Sequence, residues 1–398
     1  MTSKSTLIKF FIINAFMALS CNMVHPITPA FLTGLMLPDY TFGIAFAAMM
    51  TTNFILSPFW GTLSDSVGRL RITRISLLGY ALSQFIFMIS GSVPMVLFSR
   101  LFSGVFAGGF SVCCMAYLAD ITSKNNRAKY MMYYVAFNSV SASIGYLLGG
   151  FIGDYSLKAT FIAQIIFLIF SALLYQFFLI DFKLKSNKLK RAELLQAANP
   201  FAFFIQAKMI MTTALLVFLI TVFLTSFSMT DYDNALNFYI RQVFDFKPSY
   251  SGILKAVTGM IGLLANFTIN QWLVKHTDGR RSVVAILFIC GGTLLVASQM
   301  VDLVPFLVWN TIFYCFNTMY LPIQQALVSE GQTGSSGFIF GIFNSVKSLG
   351  SIGGALVAGF AYDVHHNLPF VIAGIVFLVS AVLGAVNYLQ YKRLPSKA

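Results

Sequence analysis

Twelve apolar runs, each long enough to cross a lipid bilayer, follow one another along this chain. A helix needs about 20 apolar residues to span the ~30 Å hydrocarbon core of a membrane. Helices and closed barrels are the structures that satisfy their backbone hydrogen bonds in lipid, and these runs are far too long for barrel strands. The sequence therefore predicts an all-α membrane protein with twelve transmembrane helices. The runs are 8–32, 41–63, 72–92, 94–119, 128–153, 159–181, 210–232, 250–273, 282–301, 303–327, 338–361 and 368–390.

The composition agrees with lipid as the solvent. Hydrophobic residues make up 58% and charged residues 10% of the 398 positions, whereas soluble proteins have about 45–50% apolar and about 25% charged residues. These values exclude a water-soluble enzyme and a disordered protein. The net charge of +13 comes from short basic clusters between apolar runs, a pattern typical of membrane orientation and not of a nucleic-acid surface. We therefore expect a lipid bilayer, and no nucleic acid, as a partner.

The basic residues also predict the orientation of the chain. If both termini lie inside the cell, most of the 26 lysines and arginines fall in the inner segments, and the outer segments hold only Lys158, Arg241 and Lys247. Cytoplasmic loops carry such an excess of positive charge. We expect a multi-pass protein of the cell membrane with both termini in the cytoplasm.

A polar stretch near the middle divides the chain. Residues 182–208 predict a cytoplasmic linker between two six-helix halves, 1–181 and 209–398. The two halves share a short repeated sequence. Phe-Asn-Ser-Val occurs at 137–140 and again at 343–346, each time at the start of a glycine-rich span. Parallel repeats of six spans occur in transporters. We therefore predict two pseudo-symmetric halves.

The segment 61–69 carries the strongest motif, Gly-Thr-Leu-Ser-Asp-Ser-Val-Gly-Arg, between the second and third spans. It resembles the Gly-x-Leu-Ala/Ser-Asp-x-x-Gly-Arg motif of the major facilitator superfamily, although Leu70 stands where a further basic residue is usual. The resemblance implies the fold of that family, in which the first, fourth, seventh and tenth spans line a central cavity. It also implies an inner gate formed by Gly61, Leu63, Asp65, Gly68, Arg69, Asp120 and Arg127.

The fourth span contains Arg100 followed by Gly104 and Gly108, and this pattern is similar to the Arg-x-x-x-Gly motif of proton-coupled facilitators. An arginine inside a span is costly unless it is paired, so the resemblance implies a role for Arg100 in coupling. The alternative is an arginine that snorkels to the lipid headgroups. We interpret the glycines as small residues at helix contacts.

The fifth span resembles the motif Gly-x-x-x-Gly-Pro-x-x-Gly-Gly of antiporters. Gly145, Gly149 and Gly150 are present, and Tyr146 replaces the proline. The glycines still permit close helix contact, but the proline kink is absent. Pro26 and Pro29 match a Pro-x-x-Pro pattern of drug/proton antiporters, the group that the first half resembles most.

Two acids at the outer end of the seventh span are candidates for proton coupling. Asp231 and Asp233 are two positions apart and point to different faces of a helix. The placement of Asp233 is similar to that of a proton-carrying acid in some bacterial drug antiporters. The alternative is that both acids lie in an outer loop. His25, which titrates near neutral pH in water, is a further candidate, or else a polar residue of the membrane interface.

Lys347 lies near the middle of the eleventh span, on one helical face with Asn344. An unpaired ammonium there is costly, so we expect an acidic partner or an anionic substrate group. The alternatives are a substrate contact and a structural ion pair with Asp231 or Asp233. Asn317, in the tenth span where related antiporters have a second acid, is another candidate for the substrate cavity.

We identify a secondary transporter as the most consistent function. The chain has no phosphate-binding loop, no nucleophile with a base partner and no metal-ligand spacing of its cysteines. We expect no enzymatic activity, no metal and no cofactor. The main hypothesis is proton-coupled efflux of amphipathic drugs or related small molecules by a monomer. The alternative is proton-coupled export of an anionic metabolite, sugar derivative or lipid. A membrane-embedded sensor or enzyme is a third possibility, which the intact gate motif disfavours.

Overall fold

A computed structural model describes residues 4–123, 127–181, 212–329 and 336–393. Within these ranges the secondary structure is helical, with no β-strand, which confirms the predicted all-α class. The predicted linker at 182–208 lies outside the described residues.

The helices of the first part of the chain begin with α1 (Lys4–Asn22), a short 3₁₀ turn (His25–Ile27) and α2 (Thr28–Gly34). They continue with α3 (Thr41–Val67), α4 (Arg69–Met88), α5 (Val93–Ile121), α6 (Arg127–Tyr155) and α7 (Leu157–Phe178). The second part contains α8 (Thr213–Gln242), α9 (Pro248–Ala265), a π-helical turn (Asn266–Asn270), α10 (Gln271–His276), α11 (Gly279–Ala297), α12 (Leu303–Ser329), α13 (Ser336–Val364) and α14 (Leu368–Arg393).

Nine helical stretches among the described residues are long and apolar enough to cross a membrane. Helix α4 is not one of them, because Arg69, Arg71 and Arg74 occupy its first turns and lower its average apolarity. The twelve-span layout in two halves therefore stays a prediction. The nine stretches are Lys4–Gly34, Thr41–Val67, Val93–Ile121, Tyr133–Tyr155, Leu157–Phe178, Thr213–Gln242, Pro248–Asn270, Gly279–Ala297 and Leu368–Lys392.

The chain divides into two compact units. Unit 1 comprises Met1–Leu37, Ala48–Pro200 and Ile240–Gly259, and unit 2 comprises Pro38–Ala47, Phe201–Tyr239 and Met260–Ala398. In unit 1, α1 packs on α6 and α7, and α4 packs on α5 and α7. In unit 2, α11 packs on α12 and α14. Each unit has a buried aromatic core, which includes Phe10, Tyr117 and Tyr175 in unit 1 and Tyr232, Phe313, Phe370 and Phe377 in unit 2.

Glycines bring the backbones of α1 and α6 together in unit 1. A Cβ atom on Gly145 would overlap the carbonyl oxygen of Leu19, and one on Gly149 would overlap that of Met23. Small residues of this kind allow close helix approach in membranes. The other predicted packing glycines also lie at helix contacts. Gly104 faces the carbonyl of Met49, Gly108 faces Ser57 and Asn53, and Gly150 faces Pro248.

Unit 2 has a comparable close contact between α8 and α13. Gly350 and Gly354 lie against the backbone carbonyls of Phe223 and Phe227, where a side chain would not fit. The backbone nitrogen of Asp231 also borders Gly354. This contact brings the middle of α8 against α13, with Asp231 one turn after Phe227.

Candidate functional site

The loop between α3 and α4 turns at a glycine that its backbone conformation requires. Gly68 has a φ of 111°, a region that residues with a side chain rarely adopt. The turn ends α3 at Val67 and starts α4 at Arg69. The motif glycine therefore has a direct conformational role in reversing the chain.

Arg69 connects the residues of this loop. Its guanidinium forms an ion pair with Asp65 and donates from Nε to Oδ2 of Asp120 at 3.3 Å. It also donates from Nη1 to the carbonyl of Gly61 at 3.2 Å and to the hydroxyl of Ser64. These bonds tie the α3–α4 loop to the end of α5. Of the other residues that we predicted for the gate, Leu63 packs beside the buried Trp60 cluster, and the side chain of Arg127 lies outside the described residues.

Asp181, which belongs to no sequence motif, caps α4. Its Oδ1 accepts from the backbone N–H of Leu70 at 2.8 Å and its Oδ2 from that of Arg71 at 3.2 Å. A carboxylate at this position satisfies free N–H groups and favours the positive end of the helix. The available signal was a lone acid at the end of the last apolar run of the first half. A separation of 111 residues hides such a contact from motif analysis.

A cavity of about 330 Å³ lies in unit 1 among α1, α5 and α6. No charged side chain contributes to its wall, which combines amide, hydroxyl, thiol and aromatic groups. Near it, Nδ2 of Asn14 donates to Oδ1 of Asn138 at 2.6 Å, a contact that links α1 to α6. The lining residues are Met17, Ala18, Cys21, Asn22, Phe110, Ser111, Tyr134, Asn138, Ser139 and Ala142.

Arg100 and His25 also lie in unit 1. Arg100 is 6% exposed, and its guanidinium lies 3.7 Å from the centroid of the Phe87 ring. This burial disagrees with an arginine that snorkels to the headgroups. The His25 ring stacks on Tyr146, with 5.5 Å between centroids and 12° between planes. The tyrosine that replaces the proline of the antiporter motif therefore contacts one of the coupling candidates.

The two acids of α8 occupy different environments in unit 2. Asp231 is 0% exposed, and neither of its carboxyl oxygens has a hydrogen-bond partner among the described residues. Asp233 is half-buried, and its Oδ1 accepts from the hydroxyl of Tyr314 at 2.8 Å. The structure agrees with the prediction that the two acids point to different faces of the helix. Both acids lie within α8 and not in an outer loop.

The cavity candidates of unit 2 do not form one cluster of contacts. Lys347 is half-buried and forms no ion pair with a described residue, so the proposed pair with Asp231 or Asp233 is not present. Asn344, one turn away on α13, is exposed. Asn317 is buried, and its Nδ2 lies 2.9 Å from the sulfur of Met229 on α8.

Comparison with known proteins decides the family. The family description "Major Facilitator Superfamily" matches residues 10–355. The chain belongs to this superfamily. The resemblance that we read from the α3–α4 loop is thereby confirmed, and the chain is a multi-pass membrane protein of a transporter family and not of an enzyme family.

Several relatives of this superfamily member carry names that refer to drug resistance. Multidrug resistance protein 2 of Bacillus subtilis (strain 168) is 27% identical over 376 residues, which cover 94% of this chain and 93% of the relative. Multidrug resistance protein 1 of the same strain is 24% identical, with 96% of each chain covered. The quinolone resistance protein NorA of Staphylococcus aureus (strain COL) is 23% identical, with 92% of each covered.

Solved structures agree on the superfamily fold. A proton-dependent oligopeptide transporter matches with a TM-score of 0.77 at 12% identity, covering 98% of this chain and 100% of the other. The human organic anion transporter MFSD10 matches with a TM-score of 0.68 at 20% identity, covering 96% and 99%. At these identities the likeness concerns the fold alone.

Proposed function

We propose that this protein is a secondary transporter that exports amphipathic drugs or related small molecules in exchange for protons, by alternating access. It would do so as a monomer of twelve transmembrane helices in two halves, with both termini in the cytoplasm. Relatives named for multidrug and quinolone resistance, which match almost the whole chain, support the class of substrate. The uncharged cavity of unit 1 has a size and a lining suited to a small amphipathic molecule.

The observation that carries the coupling is the environment of Asp231. An ionised carboxylate that is fully buried without a partner is strongly disfavoured, so this group would hold a proton in the conformation described here. A change of access that brings water to α8 would allow the proton to leave. Asp233 already has a tyrosine partner, so Asp231 is the stronger candidate for the proton carrier.

The inner gate would be the network around Arg69. Asp65, Asp120 and Arg69 join the α3–α4 loop to α5 in the state described here. Breaking these bonds would release the loop when the conformation changes. We include Arg127 in the gate because of the family motif, and we keep Lys347, Asn344 and Asn317 as candidates for contact with substrate.

Proton movement in proteoliposomes tests the coupling. Purified protein is reconstituted with a pH-sensitive dye inside the vesicles, and tetraphenylphosphonium is added as a lipophilic cation. We expect the cation to drive proton flux in the wild type and in Asp233→Asn, and flux near that of empty vesicles in Asp231→Asn. Wild-type flux in Asp231→Asn would contradict the assignment of the carrier, and no flux in the wild type would contradict the proposed antiport of cations.

A further inference from the structure

Helix α4 of unit 1 has one buried face and one exposed face. The buried face packs on α5 and α7 and includes Leu77, Tyr80 and Phe87. The exposed residues recur every three or four positions, a spacing that places them on one side of the helix. Exposed apolar surface of this extent marks contact with a membrane or a partner. These exposed residues, which we call the α4 stripe, are Arg71, Ile75, Leu78, Leu82, Phe85 and Ile89.

The α4 stripe is about as long as the hydrocarbon core of a bilayer. From Arg71 to Ile89 an α-helix rises by about 27 Å, at ~1.5 Å per residue, and the core is ~30 Å thick. The apolar members of the stripe are 44–52% exposed. Arg71, its charged member, lies at one end. The stripe therefore offers an apolar surface to acyl chains and a cation at the level of their headgroups.

The end of α7 lies beside this cation. Asp181 follows α7 closely, and its two carboxylate oxygens accept from the backbone N–H groups of Leu70 and Arg71 at 2.8 Å and 3.2 Å. Phe178 and Ile180, which precede Asp181, are 54% and 82% exposed. Bulky apolar side chains thus remain uncovered next to an exposed arginine. Such a combination of apolar and cationic groups suits the boundary between acyl chains and headgroups.

The described acids at this end of unit 1 already have partners. Asp65 forms an ion pair with Arg69, and Oδ2 of Asp120 accepts from Nε of the same arginine at 3.3 Å. Each carboxylate oxygen of Asp181 accepts a backbone N–H group. These three carboxylates are therefore engaged by Arg69 and by the start of α4, and not by the other arginine side chains of α4.

Arg71 and Arg74 are the arginines of α4 that this network does not use. They are three positions apart, about one helical turn, and neither forms an ion pair with a described residue. Arg71 is exposed and Arg74 is half-buried. Nε of Arg74 donates to the carbonyl of Leu70 at 3.2 Å. Two neighbouring guanidinium groups without a counter-charge favour an anion with several acceptor oxygens, such as a phosphate.

We propose that the arginine end of α4 binds an anionic phospholipid, with the phosphate at Arg71 and Arg74 and the acyl chains along the α4 stripe. The partner is a lipid and not a soluble phosphate, because the two arginines stand at the end of an apolar surface that acyl chains can cover. A zwitterionic lipid binds more weakly, because its ammonium group cancels the attraction to the arginines. The site does not depend on the proposed transport function.

Photocrosslinking in lipid nanodiscs tests the site on the intact protein. The probes are a phosphatidylglycerol and a phosphatidylcholine with the same photoreactive acyl chain, each at the same low mole fraction in a phosphatidylcholine bilayer. Crosslinks are mapped by mass spectrometry, and those on α14 serve as the internal reference. In the wild type, phosphatidylglycerol should crosslink to α4 about tenfold more than phosphatidylcholine does.

Removal of the two arginines should abolish this preference. Each of Arg71→Gln and Arg74→Gln should reduce the phosphatidylglycerol crosslinks on α4 by about fivefold, the effect of one basic residue near an anionic surface. The double variant should bring them to the level of phosphatidylcholine. Lys158→Gln is the matched control, because it removes an exposed cation from the opposite end of α7, and it should change neither probe.

Two arms keep the test decisive if the double variant does not fold. In the wild type, 1 M NaCl should remove the preference for phosphatidylglycerol, because it shortens the screening length to about 3 Å. An Arg71→Lys and Arg74→Lys double variant keeps both charges and should retain most of the preference. Excess glycerol 3-phosphate, which carries the phosphate without acyl chains, should not reduce the crosslinks.

Four results would overturn the proposal. The first is a wild type that crosslinks both lipids to α4 equally. The second is a preference for phosphatidylglycerol that survives in the folded double glutamine variant or in 1 M NaCl. The third is an equal loss in Lys158→Gln, which indicates a general effect of net charge. The fourth is displacement by glycerol 3-phosphate, which identifies a site for soluble phosphate and not for lipid.

Discussion

The loop before α4 in unit 1 and the loop before α11 in unit 2 occupy corresponding places in the predicted repeat, but they start their helices in different ways. In unit 1 the cap of α4 comes from Asp181, 111 residues away. In unit 2 the cap is local, since Oδ1 of Asp278 accepts from the backbone N–H of Arg280 at 2.8 Å. The first loop therefore depends on another part of the unit, whereas the second is largely self-contained.

The arginines of the two loops show the same contrast. Arg69 joins Asp65 to Asp120 on α5, whereas the guanidinium of Arg280 lies over the ring of Tyr391 on α14, at 3.5 Å. An ion pair between two elements can break and form again when the conformation changes. An arginine stacked on an aromatic ring mainly holds two helices together. We therefore predict that gating is concentrated in the first loop and that the second loop is structural.

Removal of Arg69 gives the largest expected difference between the loops. Arg69→Ala should reduce the rate of transport in proteoliposomes by at least about tenfold, because a bias of only ~1.4 kcal/mol between two conformations changes their populations tenfold. Arg280→Ala is the matched control and should keep most of the rate. Similar losses in the two variants, at equal amounts of reconstituted protein, would remove the contrast between the loops.

Removal of Asp181 tests the distant cap. Asp181→Ala leaves the N–H groups of Leu70 and Arg71 without their acceptor and should cost about 2 kcal/mol of stability. The expected readout is a lower midpoint of thermal unfolding in detergent, with a smaller change for Asp181→Asn, which keeps one acceptor. An unchanged midpoint in Asp181→Ala would show that the cap contributes nothing to the stability of α4.

A side chain on the turn glycine should have a similar or slightly smaller effect. Gly68→Ala forces a residue with a Cβ into a backbone region with φ of 111° and should cost about 1–2 kcal/mol. In Gly279→Ala, at the start of α11, the new Cβ would lie 3.3 Å from Cγ2 of Ile323, at a helical backbone conformation. We expect a smaller loss of thermal stability there, and the reverse order would contradict the role given to Gly68.

The smallest effect is expected for the local cap of unit 2. Asp278→Ala should lower stability by about 1 kcal/mol, the usual cost of losing an N-cap side chain, because the rest of α11 is well packed. Transport by this variant should remain close to that of the wild type once expression is matched. A severe loss of transport would show that the second loop also takes part in gating.

The gate residues that lie close together in the sequence could be predicted, and those far apart in the sequence could not. Gly61, Asp65, Gly68 and Arg69 lie in one contiguous motif, so the family and the loop were predicted correctly. Asp181 was missed, because no pattern joins it to a loop 111 residues earlier. The substitution of Leu70 for a basic residue also has a structural explanation. Its side chain is 2% exposed in the core of unit 1, while its backbone N–H donates to Asp181.

The acids of α8 show a second limit of prediction from the sequence, which concerns burial. The two-residue spacing predicted that Asp231 and Asp233 face different ways, but it gave no reason to prefer one of them as buried. That choice depends on how α8 packs against other helices, such as α13, where Gly350 and Gly354 lie against the backbone of α8. Likewise, the sequence identified Arg100 and Lys347 as costly charges, but it could not reveal whether partners from other helices neutralise them.

The glycine contacts between α1 and α6 also restrict how this transporter can change during evolution. At Gly145 and Gly149 the first side-chain atom would already collide with a backbone carbonyl, so single substitutions there should be eliminated by selection. Cys21, Ser139 and Ala142 line the cavity on the same two helices and keep part of their surface exposed. Mutation can therefore vary the substrate range at these positions while the spacing of the helices is inherited unchanged.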